Sequence, residues 1–387
     1  MLGKNRSIAL LTIIILLSSV IPAQAQSSTS TQPEPYGGDI LCPPGVYPNG
    51  SEDCLVAGPA QVLTDWAAQG ITFPAQPISM YTPPANLAEV PYYYARVNDG
   101  PANLFSSLPS EPGATPTRIL EGGLRYISYV NRIETNAGLF YQMQTGEWID
   151  GGSVARATPP SFQGVLFRST PTISFGWILS TVRSRPQAGY SFPESGPEYY
   201  RFNIIHVYET ATVDGVEWCL IGVNEWIEKR FIARVIPNTT PPAGVTTGRW
   251  IEINLYEQTL MVYDNYQLIF ATLISTGVDP FYTQPGLFQI YEKKDSENMS
   301  GAFEADRSDY YYLESVPFTM YFDQARALHG AYWHSVFGYM RSHGCVNMSI
   351  ADSHWLYDWA QVGEWVYVWD PSGQTPTDPN YYGQGGA

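Results

Sequence analysis

The chain of 387 residues carries 36 acidic against 20 basic residues, a net charge of −16. So large a negative excess argues against nucleic acid or an anionic lipid surface as partner. Only 14% of residues are charged, whereas 28 are tyrosine and 11 tryptophan, which suggests a β-rich, aromatic-packed extracellular protein. The length exceeds what one hydrophobic core usually organises, so two or three domains are expected.

The N-terminus reads as a secretory signal over residues 1–25. Lys4 and Arg6 form a basic start, Ile8 to Ile21 an apolar run, and Ala23-Gln24-Ala25 a small-residue cleavage site. The run is shorter than the roughly 20 residues of a spanning helix, so an exported chain starting near Gln26, with no membrane span, is expected. No cysteine follows the cleavage site directly, which argues against lipid attachment there.

Residues 26–84 read as a linker and a small disulfide-containing segment. Gln26 to Pro35 is a Ser/Thr/Gln/Pro tether. Cys42 and Cys54 bracket a Pro/Gly/Asn loop, and in an exported chain this favours a local disulfide. Pro59 to Gly70 predicts a short helix closed by Gly70.

Short apolar and aromatic runs broken by Gly, Pro and Asn follow, and within them lies a repeat. Glu147-Trp148-Ile149-Asp150, Val154-Ala155-Arg156-Ala157 and Pro159 recur, displaced by 78 residues, as Glu225-Trp226-Ile227-Glu228, Ile232-Ala233-Arg234-Val235 and Pro237. The displacement predicts two β modules, 85–162 and 163–240. They resemble bacterial Src-homology-3-like wall-associated modules, so the expectation is two small β-barrel-like repeats. Trp148 and Trp226 are read as module core rather than polymer-binding platforms. The repeat also sets Cys219 where the sister module has Tyr141, a packing position.

After the linker Pro237 to Gly244, a third domain spans 246–370. Arg249–Leu255, Leu260–Tyr263, Leu268–Ser275 and Leu287–Tyr291 predict strands, with Asp264-Asn265 a turn. Residues 293–312 are polar and without periodicity, and read as a long loop of the kind that forms a lid. Ser353 to Trp359 predicts a short helix and Trp365 to Trp369 a closing strand, while 371–387 read as a disordered tail. The fold class is mainly β.

Four of the five histidines, His329, His334, His343 and His354, fall within twenty-six positions that also hold Cys345. A thiol attacks a carbonyl only as thiolate and needs a base in reach. Cys345 is therefore the candidate nucleophile and His329, sixteen residues upstream, the candidate base. Gly330 would let a carbonyl hold the other imidazole nitrogen, and Gly344 would free the turn so that its amide and that of Cys345 face the reacting carbonyl.

His329-Gly330, Phe337-Gly338 and Ser342-His343-Gly344-Cys345-Val346-Asn347 resemble the signature of the L,D-transpeptidase catalytic domain. Ser275-Thr276-Gly277, then Pro285-Gly286 and Phe288, is similar to that family's substrate-side strand and turn. The resemblance implies a β-sandwich or barrel with a short helix, His329 as general base and Cys345 as nucleophile. Ser342, His343, Gly344 and Gly330 would shape the site, and Gly277, Asn347, His334 and Trp333 are candidates for substrate contact. His334 stays open between site residue and structural histidine, and Trp333 between contact and packing. Many family members have Arg where this chain has Asn347, which leaves the contacts to substrate carboxylates open. The implied substrate is a peptidoglycan tetrapeptide stem, cross-linked through its third residue with loss of D-alanine; water as acceptor would make the reaction a carboxypeptidation. A secreted wall-binding protein with a vestigial catalytic domain is the alternative. No cofactor or metal is expected, because nucleophile and base already explain the His and Cys spacing.

Overall fold

The computed structural model describes residues 66–71, 77–302, 307 and 310–382. The expected signal, the tether, and Cys42 and Cys54 lie outside the described residues. Of the first predicted helix the described part is helical at 66–68, and Gly70 follows with φ +70°, the left-handed conformation that commonly ends a helix. Among the described residues no helix is long and apolar enough to cross a membrane.

The first module comprises β1 (Tyr93–Val97), β2 (Leu124–Thr135), β3 (Gly138–Met143), β4 (Trp148–Asp150) and β5 (Val154–Ala157). The second comprises β6 (Val165–Phe167), β7 (Phe175–Ile178), β8 (Ile204–His206), β9 (Val216–Gly222), β10 (Glu225–Glu228) and β11 (Ile232–Val235). The repeat is visible in their ladders. Tyr94 lies opposite Ser128 and Ala157, and Phe175 opposite His206 and Val235, so the partners themselves differ by the repeat length. Trp148 is buried and Trp226 half-buried. Cys219 is fully buried among Ile178, Ile205, Ile227 and Ile232, and this burial pushes its thiol up to about 12.

The third domain begins with the antiparallel strands β12 (Trp250–Asn254), β13 (Thr259–Asp264) and β14 (Gln267–Leu273). Asn265 (φ 49°) and Tyr266 (φ 61°) make the hairpin turn between the last two, consecutive positive values that match the right-handed twist of the strands. After β15 (Gly286–Gln289) come the hairpin β16 (Glu292–Gly301) and β17 (Tyr311–Asp323), then β18 (Arg326–Gly330), β19 (Val346–Met348), helix α1 (Ile350–Trp359) and β20 (Trp365–Trp369). Ile251, Ile253 and Phe270 on one sheet meet Met320, Leu328, Val346 and Met348 on the other, with Leu356 of α1 closing the core. Ser349 caps α1, its hydroxyl accepting from the Asp352 N–H at 3.2 Å.

The opposite face of β12–β14 is also covered. Trp250, Met261 and Leu273 pack against Phe175 and Trp177 of the second module, and β6 extends the sheet by pairing with β14. Every residue of β12 is therefore buried, Glu252 included. The first module is joined as firmly, since β2 pairs in parallel with β17, Leu124 opposite Tyr311 and Tyr126 opposite Leu313. Neither module stands apart as a free barrel on a linker.

Two local expectations are corrected. Of residues 293–312, the described stretches 293–301 and 311–312 are strand: their side chains lie on a two-stranded ribbon, with Glu292 opposite Tyr321 and Gly301 opposite Tyr311. Of the tail expected to be disordered, residues 371–382 fold back, with a short helical turn at Pro379–Tyr381. Arg326 lies over the buried Tyr382 ring, 5.2 Å from its centroid.

Candidate active site

Strands β18 and β19 run parallel, with Leu328 opposite Val346, His329 opposite Asn347 and Gly330 opposite Met348. Side chains alternate along a strand. Leu328, Val346 and Met348 enter the sandwich core, which turns His329, Cys345 and Asn347 to the other face. There the three line one cavity of about 520 Å³.

Three glycines make this geometry possible. A Cβ on Gly330 would meet Ser353 Oγ at 2.7 Å and Pro317 Cγ at 3.0 Å. The residue is thus small so that α1 can lie against β18, a different reason from the approach to the imidazole that its position suggests. Gly344 has φ +116°, and a Cβ there would meet Arg326 Nε at 3.1 Å. Gly277 does not line the cavity; a Cβ there would strike the Phe281 carbonyl at 2.0 Å, and its N–H donates to Thr283 Oγ1 at 2.9 Å, which donates to the Gly344 carbonyl at 2.8 Å. Gly277 braces the motif from behind, beside the bridges to Ser342 and from Ser275 to Asn347.

The Cys345 thiol faces the Ala325 carbonyl at 3.8 Å. Burial pushes it up to about 11, against the opposing pull of the Ala327 backbone and the Arg326 charge. Burial holds His329 down at about 4, opposed by its bond to the Gly330 carbonyl. That contact, Nδ1 to oxygen at 3.4 Å, fixes the tautomer. A carbonyl can only accept, so Nδ1 carries the proton and Nε2 the lone pair. The resting pair is thiol and neutral imidazole.

The remaining candidates divide. Ser342 lines the cavity and shapes the turn, its hydroxyl donating to the Cys345 carbonyl and accepting from the Gly344 N–H at 3.1 Å. The Gly344 amide thus has a partner within the turn. His343 lines the cavity with its ring stacked on Tyr311 at 5.4 Å and near Phe281 at 4.9 Å. Trp333 lines it beside His329, ring centroids 5.7 Å apart. His334 is buried behind Asn347 rather than in the cavity wall. Its Nδ1 accepts from the Val336 N–H at 3.2 Å, so Nε2 is the protonated nitrogen. It lies 2.9 Å from Asn347 Nδ2, and two donors cannot bond, so with Nε2 protonated the amide is turned to present its oxygen there. His334 thus orients Asn347.

Sequence reasoning missed the other walls. Met299, Tyr311 and Leu313 come from the β16–β17 hairpin, Arg341 from the segment before the motif, and Arg96, Leu124 and Tyr126 from the first module. A second cavity of about 530 Å³ lies between Glu217 and Lys229 of the second module and Tyr256 and Met340 of the third domain, and contains neither His329 nor Cys345. Among the described residues no group of three or more His, Cys, Asp or Glu side chains converges as a metal site.

A buried thiol immediately before β19 and a neutral imidazole on its parallel partner β18 thus line one cavity of a β-sandwich. Residues 248–368 match the L,D-transpeptidase catalytic domain family, YkuD, so the chain carries such a domain in its C-terminal part. The putative L,D-transpeptidase YciB of Bacillus subtilis (strain 168) is 24% identical over 127 residues, 28% of this chain and 59% of the relative. A solved L,D-transpeptidase from Stackebrandtia nassauensis is 26% identical with a TM-score of 0.26, covering 34% of this chain and 59% of that one. One from Mycobacterium smegmatis is 20% identical with a TM-score of 0.31, over 42% and 81%. The chain thus spans 59% of the length of the curated relative and of the first of these structures.

Proposed function

We propose that the protein is an exported L,D-transpeptidase that acts on peptidoglycan stem peptides through a thioester on Cys345. The observation that carries this reading is the placement of His329 in β18 and of Cys345 immediately before its parallel partner β19, both opening into one cavity. The pKa values of the pair, about 4 for the imidazole and about 11 for the thiol, favour the neutral forms at pH 7. Proton transfer then accompanies attack instead of preceding it. His329 Nε2 takes the thiol proton while sulfur adds to the carbonyl carbon of the stem's third residue. Collapse breaks the amide bond, and the imidazolium returns the proton to the departing D-alanine nitrogen. In the second half an amine of another stem attacks the thioester, giving its proton to Nε2, and sulfur leaves and is reprotonated. The third-residue cross-link results; water in place of the amine gives a tripeptide.

The test is to incubate the protein, without residues 1–25, with tetrapeptide-bearing muropeptides and follow products by mass spectrometry. D-alanine release with dimer formation is the expected result, lost in Cys345→Ala. Monomeric tripeptide alone would replace transfer by hydrolysis. No product from a folded sample would overturn both and leave a wall-binding protein.

A further inference from the structure

In a protein whose acids outnumber its bases 36 to 20, the cavity holding Cys345 is lined, among the described residues, by Arg96 and Arg341 and by no Asp or Glu. Both arginines have fixed backbones. Arg341 donates its N–H to the Thr276 carbonyl at 2.8 Å. Arg96 sits inside β1, opposite Tyr126 on one side and Ala155 on the other. Alternation along β1 sends Ala95 and Val97 into the module core and Tyr94 and Arg96 to the face that meets the third domain. Tyr94 is anchored there on Tyr332, and Arg96, two residues on, reaches the cavity. Arg96 forms an ion pair with Asp99, at 3.7 Å and with both side chains more than half exposed, an arrangement of little energetic weight that a ligand anion can displace. The guanidinium fork matches a carboxylate with two parallel hydrogen bonds. A tetrapeptide stem, the substrate of the reading on which this inference rests, carries an internal carboxyl on its second residue and one at its terminus.

We propose that Arg96 of the first β module, with Arg341 across the cavity, receives a carboxylate of the stem peptide, so that the module is a wall of the substrate site and sets its preference for an unmodified, anionic stem. The test is titration calorimetry on the full chain after signal removal, bearing Cys345→Ala, with three synthetic tetrapeptides. One has both carboxyls free, one is amidated at the second residue and one at the terminus. Arg96→Ala should weaken binding of the free peptide about fivefold and leave one amidated peptide unaffected, and that peptide identifies the carboxylate bound. Arg96→Lys should keep part of the affinity. Equal weakening for all three peptides, no weakening, or no binding by the parent would overturn the proposal. D-alanine release by the chain with Cys345 intact is scored separately, so a failure of the transpeptidase reading is told apart from a failure of this one.

Discussion

Tyr94 lies face to face on Tyr332, ring centroids 3.4 Å apart and planes 14° from parallel, and through this contact a strand of the first module rests on the segment that follows His329. The Tyr94 hydroxyl also donates to the Ser315 carbonyl at 2.9 Å. Tyr94→Ala should lower unfolding free energy by about 3 kcal/mol in denaturant titration, as expected for removing a buried aromatic ring. Tyr94→Phe, which loses only the hydroxyl, should cost about 1 kcal/mol. Equal costs would mean that the stack contributes nothing.

The neutral resting pair predicts how Cys345 reacts. With its thiol pushed up to about 11, the rate of alkylation by iodoacetamide should climb about tenfold per pH unit from pH 6 to pH 9, because only thiolate reacts. His329→Gln should leave that slope unchanged. A plateau reached near pH 7 in the parent, abolished by the substitution, would point to a preformed thiolate and imidazolium instead.

Glu314 is buried with one carboxylate oxygen accepting from the Ser128 N–H at 3.0 Å. Burial raises its carboxyl from 4.5 to about 7. A raised acid favours the folded state below its unfolded value, and that advantage is lost as pH rises through the folded one. Glu314→Gln keeps an acceptor for Ser128 and removes the charge. The variant should therefore be more stable than the parent at pH 8 by on the order of 1–3 kcal/mol, with the gap closing towards pH 4.5. A gap that widens on acidification would reverse the assignment.

Gly330→Ala should destabilise the fold by about 1–3 kcal/mol through overpacking against α1 and reduce activity by displacing His329. Ser353→Ala added to it removes the Oγ that a Cβ would meet at 2.7 Å and should recover part of the loss. Thermal melts of the single and double variants decide the matter.

The strands and helix of the third domain were legible because alternation is a local signal: Trp365 to Trp369 is β20 residue for residue, and the helix read as Ser353 to Trp359 is α1, which starts earlier, at Ile350 behind its Ser349 cap. The repeat was legible as a displacement of 78 residues, which the ladder partners share. The β16–β17 ribbon was not, since one of its partners is β2, far away in sequence, and its polar residues show no single buried face. For the same reason Arg96, Leu124 and Tyr126 could not be read as cavity walls, whereas His329 and Cys345, close in the chain, could. Gly344 was read as freeing an amide, but the Ser342 hydroxyl takes that amide, a competition decided in three dimensions. The tail looked unstructured because its contact with Arg326, made by the Tyr382 ring, is distant in sequence.

The ladder between β2 and β17 also bears on how the chain is made. Ser128 and the Glu314 that caps its N–H are 186 residues apart, and between them lie the entire second module and strands β12 to β16 of the third domain. A chain emerging N-terminus first must hold the Leu124 to Tyr126 edge unpaired until Tyr311 to Leu313 arrive. Such long-range closure slows folding and leaves an open strand edge available to other chains meanwhile. The smallest piece able to fold to this site therefore begins well before residue 248, where the family match starts.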